Sequence, residues 1–209
     1  MVRAFVLLAL DPPTPVGHAS PGHASLGHTP CRPLYTRFFG DPPGNSPVPE
    51  GPPRQRLRRK EQLLAVGRQV ASQCRLLQSS SGRPSAPQLP QLPDEPLSLQ
   101  DAPGGLFQLP PGDPFPERVT VVWLSVSALA FALVCDPQEN LSLAEITLRR
   151  LAPRLLASLR LLSPGANVLL RPDAADVLLD RLLPHGQMLF LNERFLQAMD
   201  REMGIKTSR

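Results

Sequence analysis

The sequence predicts an α+β domain in which a five-stranded, mainly antiparallel sheet is covered by helices. Three observations carry this reading. The run 120–135, TVVWLSVSALAFALVC, is uncharged and rich in valine, which fits two buried strands joined by a tight turn at 125–128. The first ten residues, MVRAFVLLAL, are almost wholly apolar, as a strand covered on both faces must be. Leucine stripes at three- and four-residue steps fill the second half, and these are helical faces.

Length decides against a transmembrane reading of 120–135. Spanning a bilayer takes about 20 predominantly apolar residues, with a lower limit of roughly 17, whereas this run is shorter and holds two serines. Of the 27 prolines, 22 precede Val119, so the first half divides into compact segments separated by irregular loops. The 209 residues fit one domain over 1–203, with Pro-rich loops at 11–30, 40–53 and 82–117 and a frayed tail at 204–209.

Taken in order, the first strand is Val2 to Leu10, closed by Asp11-Pro12-Pro13. The N-terminus resembles a short signal peptide but runs into that Asp-Pro-Pro rather than a small-residue cleavage site, so it reads as a strand of a cytosolic protein. Residues 11–30 hold a tandem Gly-His-Ala-Ser repeat. Its three histidines lack the fixed geometry and supporting shell that a metal requires, and no metal is expected. Residues 31–39 read as a second strand, confined to an edge by Pro33.

Residues 55–78 form the clearest helix of the first half, with Leu63, Val66, Val70, Cys74 and Leu77 on one stripe. Its start is basic, with Arg54, Arg56, Arg58, Arg59 and Lys60 against Glu61. Positive charge there opposes the helix dipole. Arg56, Arg58, Arg59 and Lys60 are therefore candidates for contact with an acidic partner or anionic lipid, against the plainer reading of a solvated helix start. A short strand at Gly104–Leu109 precedes the hairpin.

After the hairpin, Ser142 with Glu145 has the capping-box pattern. Leu148, Leu151, Leu155, Leu159 and Leu162 then make a stripe ending at Ser163-Pro164-Gly165, and Pro153 inside it predicts a kink or break. The stripe is wider than one face needs, which makes Leu148, Leu151, Leu155 and Leu159 candidates for a partner-facing helix. Residues 166–170 read as a short extended piece. Pro172-Asp173 opens a helix with Ala174, Val177, Leu178 and Leu182 inward. Asn192 caps a last helix with Phe195, Leu196, Met199 and Met203 toward the core.

The search for chemistry excludes more than it finds. There is no phosphate loop, no HExxH, no GxSxG and no metal-ligand spacing. His185 is the one histidine outside the repeat, and nothing places Cys31, Cys74 or Cys135 beside it. The three cysteines form no CxxC pair, which suits buried thiols in a reducing compartment. A formal charge of +4 is spread over scattered arginines, and one Trp and one Tyr make no stacking platform. No nucleic acid, no cofactor and no enzymatic activity is expected.

Three stretches narrow the function: RRKEQLLAVGRQV at 58–70, continuing to Cys74-Arg75-Leu76; TVVWL at 120–124; and PHGQMLFLN at 184–192. With the strand–strand–helix–three strands–helix order, they resemble the sigma-subunit family of the fifth adaptor protein complex, from the first strand to about Met203. The His-Ala-Ser repeat departs from that family. The resemblance implies a longin-like fold and a non-enzymatic small subunit of a heterotetramer with two large chains (zeta and beta) and a medium (mu) chain. It implies a coat acting in protein sorting, cytosolic and peripheral on late endosome and lysosome membranes, and associated with spatacsin and spastizin. The runner-up is another longin-like trafficking regulator or tethering subunit, which the fold would also permit. A single-span membrane protein using 120–135 is the distant alternative.

Overall fold

The central strands of the molecule are apolar on two sides because each side meets a different layer. The computed structural model describes residues 1–10, 31–40, 52–80, 99, 102–162 and 171–205. Within them lie β1 (Val2–Leu10), β2 (Cys31–Phe38), α1 (Pro52–Ser80), β3 (Gly104–Leu109), β4 (Val119–Val126), β5 (Leu129–Cys135), α2 (Leu141–Ser158), α3 (Pro172–Leu182) and α4 (Glu193–Glu202). A single 3-10 turn, Pro184–Gly186, joins α3 to the segment before α4. The repeat loop at 11–30, the expected piece at 166–170 and the final four residues lie outside the described residues.

The sheet order is β2-β1-β5-β4-β3, and every pairing is antiparallel. Side-chain alternation sorts the strands between two cores. Ala4, Val6, Leu8, Val121, Trp123, Ala130, Ala132 and Val134 pack toward α1. Phe5, Leu7, Val122, Leu124, Phe131 and Leu133 pack toward α2, α3 and α4. A register shift between Val2 and Ala4 moves Val2 to the second side. The arrangement is α+β, a five-stranded antiparallel open sheet with four helices, consistent with a longin-like fold.

The uncharged run 120–135 forms β4 and β5, whose two-residue turn places Ser127 at φ 54°. The single-span alternative fails on this point, and no helix among the described residues is long and apolar enough to cross a membrane. β2 is an edge strand, with an irregular register where Pro33 pairs Leu8.

Several boundaries differ from expectation. α1 begins at Pro52, three residues early, because proline suits the first helical turn. α2 is capped by Asn140, whose side chain accepts from the Leu143 amide at 3.1 Å, and not by Ser142. The earlier start lets Leu141 pack against the core. Pro153 causes no break: α2 runs unbroken from Leu141 to Ser158. Leu151 and Leu155 on either side are fully buried, and packing of that extent exceeds the roughly 3 kcal/mol that an internal proline costs.

α2 also stops earlier than the stripe suggested. Arg160 takes φ 48°, and the Leu161 amide donates back to the Leu156 carbonyl at 3.1 Å. This Schellman closure turns Leu161 into the core. α3 is rotated from its predicted phase: Ala175, Leu178, Leu179 and Leu182 are buried while Val177 is exposed. Asp176 and Asp180 are held toward the β2 edge, where Tyr35 donates to Asp176 at 2.5 Å and Arg37 pairs with both carboxylates. In α4, Leu196 and Met199 are buried but Phe195 is exposed. The chain stays packed past Met203: Gly204 takes φ 65° and the Ile205 amide donates to the Asp200 carbonyl at 2.8 Å.

Candidate interaction surfaces

The basic start of α1 lies over the ends of β1, β2 and β5. Its side chains divide. Arg58 and Arg59 are half-buried and help wall a cleft of ≈ 340 Å³ with Phe38, Phe39 and Phe115. The Arg59 guanidinium sits 4.9 Å from the centroid of the Phe38 ring, close enough for a cation–π contact. Arg56 and Lys60 are exposed and stand outside the cleft. So the structure brings together two of the four basic candidates and leaves the other two on the outer surface.

A third arginine at the cleft is already neutralised. Arg3 pairs with both Asp136 and Glu117, and the Met1 amino group donates to Asp136 at 2.9 Å. Burial pushes the Asp136 carboxyl up, but the Met1 amine and Arg3 outweigh it and hold the group below its ordinary value. The positive character of this end of the molecule therefore comes from α1.

The leucines of α2 do not form a surface. Leu148, Leu151, Leu155 and Leu159 all lie in the core, and Leu151 and Leu155 expose nothing. Their broad stripe has an intramolecular cause: α2 packs on β4 and β5 on one side and on α3 on the other. A bidentate bond at 2.8 Å on both arms joins the Arg154 guanidinium of α2 to Asp200 of α4, with both side chains buried. Side chains so enclosed present nothing to a second protein.

An aromatic surface appears instead at residues 187–195. Phe190 is 91% exposed, and Leu189 (38%) and Phe195 (42%) are partly open beside it. Leu191 turns inward and is buried. The backbone around Phe190 is held: Arg150 of α2 donates to the Leu191 carbonyl and pairs with Glu193 at 4.0 Å, while Asn192 accepts from the Phe195 amide at 2.7 Å. A phenyl ring fixed in water by a braced segment is unfavourable for an isolated chain and suits a binding anchor. Sequence reasoning singled out this stretch but missed the surface. The run 188–191 is too short for its apolar pattern to say which ring turns outward.

No catalytic arrangement accompanies these surfaces among the described residues. Cys31, Cys74 and Cys135 are buried and form no disulfide among the described residues. Burial raises the Cys74 thiol and pushes Cys135 up to about 12, which disfavours the reactive thiolate. His185 is exposed in the 3-10 turn at φ 51°. No group of three His, Cys, Asp or Glu side chains could hold a metal ion among the described residues.

Comparison with known proteins accords with this picture. The family model described as AP-5 complex subunit sigma-1 matches residues 1–204. The human AP-5 complex subunit sigma-1 is 53% identical over 173 residues, covering 82% of this chain and 86% of the human protein. The mouse AP-5 complex subunit sigma-1 is 52% identical over 138 residues, covering 66% of this chain and 81% of the mouse protein.

Proposed function

The chain belongs to the AP-5 complex subunit sigma-1 family, and from that premise we propose that it is a non-enzymatic small subunit working inside a heterotetrameric vesicle adaptor. Its companions are two large chains (zeta and beta) and a medium (mu) chain, and the assembly associates with spatacsin and spastizin. The complex acts in endosomal and lysosomal protein sorting, reaching those membranes peripherally from the cytosol. No cofactor and no nucleic acid enter this role.

The observation that carries the reading is Phe190, 91% exposed on a segment braced by Arg150 and Asn192. Interfaces between subunits centre on such aromatic anchors and deplete charge at their cores. Phe190, with Leu189 and Phe195, is the surface that a large adaptor chain covers. Ile146 on α2, one turn before Arg150, is also exposed and extends the apolar character of this side.

The test is affinity purification of the tagged chain carrying Phe190→Asp, with quantitative mass spectrometry. Recovery of the two large chains and the medium chain falls at least about tenfold, as expected for loss of a single hot spot, while the variant keeps the wild-type circular dichroism spectrum. Recovery of those chains at the wild-type ratio would refute Phe190 as the anchor. A wild-type chain that brings none of them down would refute the adaptor reading itself.

A further inference from the structure

The outer surface of α1 is the most strongly charged part of the molecule. The helix carries seven basic side chains against the single acid Glu61, a net of +6, whereas the whole chain carries +4. The rest of the chain therefore sums to −2. Arg54, Arg56, Lys60, Arg68 and Arg75 are exposed and make no ion pair among the described residues. No acid stands in the first turn to balance the helix dipole. Inward, Val66, Val70 and Cys74 pack on the sheet. Arg58 and Arg59 turn toward the cleft, and the remaining five basic side chains are left to solvent.

We propose that the outer face of α1 docks on the surface of an anionic lipid bilayer. Three features favour a bilayer over an acidic protein. First, the charges run from Arg54 to Arg75, about 32 Å along one unbroken helix. A plane of headgroups meets such a row at once without matching its shape. Second, the order of residues is the reverse of a protein interface, which puts apolar side chains at its centre and charge at its rim. Here Arg68 stands mid-helix, and the exposed leucines Leu57 (57%) and Leu76 (60%) lie toward the two ends. Third, isolated leucines among arginines suit the interfacial region, where apolar side chains dip below the phosphates and guanidinium groups stay among them. Exposed aromatic rings are concentrated instead at Phe190 and Phe195, on the opposite side of the sheet.

The proposal rests on the adaptor reading only for the bilayer being within reach, and its test is separate. The full-length chain is floated with phosphatidylcholine vesicles, with and without phosphatidylserine. Where the chain is recovered only with its companions, the assembled complex is floated instead. The wild type binds the mixed vesicles, ignores the neutral ones, and is released by high salt. Each basic side chain near the surface strengthens partition roughly five-fold. The triple variant Arg56→Glu, Lys60→Glu, Arg68→Glu therefore loses at least about a hundredfold. The neutralising set Arg56→Gln, Lys60→Gln, Arg68→Gln controls for misfolding and loses less but in the same direction. Leu57→Ser weakens binding at unchanged charge. Equal flotation of wild type and triple variant would overturn the proposal, as would wild type that ignores phosphatidylserine. Binding to polyglutamate but not to vesicles would overturn it in favour of an acidic protein. In each of these cases, companion chains that still co-purify with the triple variant leave the adaptor reading standing.

Discussion

The two faces of the sheet are built from different side chains and turned to different uses. Toward α1 the central strands offer small residues, Ala4, Ala130 and Ala132, so a single helix can lie close. At Gly67 the approach is such that a Cβ would come within 2.8 Å of Cys31 Sγ. Toward α2, α3 and α4 the same strands offer Phe5, Leu7, Phe131 and Leu133, which need a thicker cover. Among the described residues the buried apolar cluster on that side has 28 residues against 14 on the α1 side, so most of their apolar burial lies there. The outer surfaces follow the same division. The thick layer is nearly balanced in charge and presents a phenylalanine, while the thin layer presents arginines. On the two proposals made above, one face joins other protein chains and the other meets an anionic plane.

Substitutions can break this comparison, and the largest effect belongs in the thick layer. Leu151→Ala, at a fully buried site between the sheet and α3, lowers stability by about 3 kcal/mol. Val70→Ala, equally buried beneath α1, removes less side chain from a smaller cluster and costs about 1 kcal/mol. Urea unfolding of the two variants measures the difference, and equal losses would show that the layers contribute alike.

A sharper test separates packing from charge within the thick layer. Arg154→Met leaves the Asp200 carboxylate buried without its bidentate partner and costs about 3 kcal/mol. The double variant Arg154→Met, Asp200→Leu removes both charges and recovers most of that loss. The recovery shows in the denaturation midpoint. A double variant no more stable than the single one would mean that the ion pair, and not apolar packing, joins α2 to α4.

Much of this division was legible in the sequence, because it rests on short-range pattern. The run 120–135 was short for a bilayer and its valines favoured strands, although its second half alone fitted either strand or helix, and it forms β4 and β5. Of the α1 stripe, Val66, Val70 and Cys74 are buried as its spacing predicted and Leu63 is partly buried, whereas Leu77 lies exposed where the helix runs past the sheet contacts. The cleft behind Arg58 and Arg59 was not legible, since Phe38 and Phe115 reach it only through the folded topology. Nor was the phase of α3, which follows from the Tyr35 and Asp176 bond between residues 141 apart. The α2 leucines misled because a wide stripe looks the same whether a partner or another part of the chain covers it, and here α3 covers it. The end of α2 was missed because Arg160, not glycine, takes the left-handed position.

Hydrogen–deuterium exchange on the assembled complex, with and without phosphatidylserine-containing vesicles, tests the division of faces most directly. Assembly alone slows exchange around 187–195 and leaves the exposed turns of α1 unchanged, whereas adding vesicles slows α1 and leaves 187–195 as it was. Protection of α1 by assembly without vesicles, or of 187–195 by vesicles without assembly, would contradict the account.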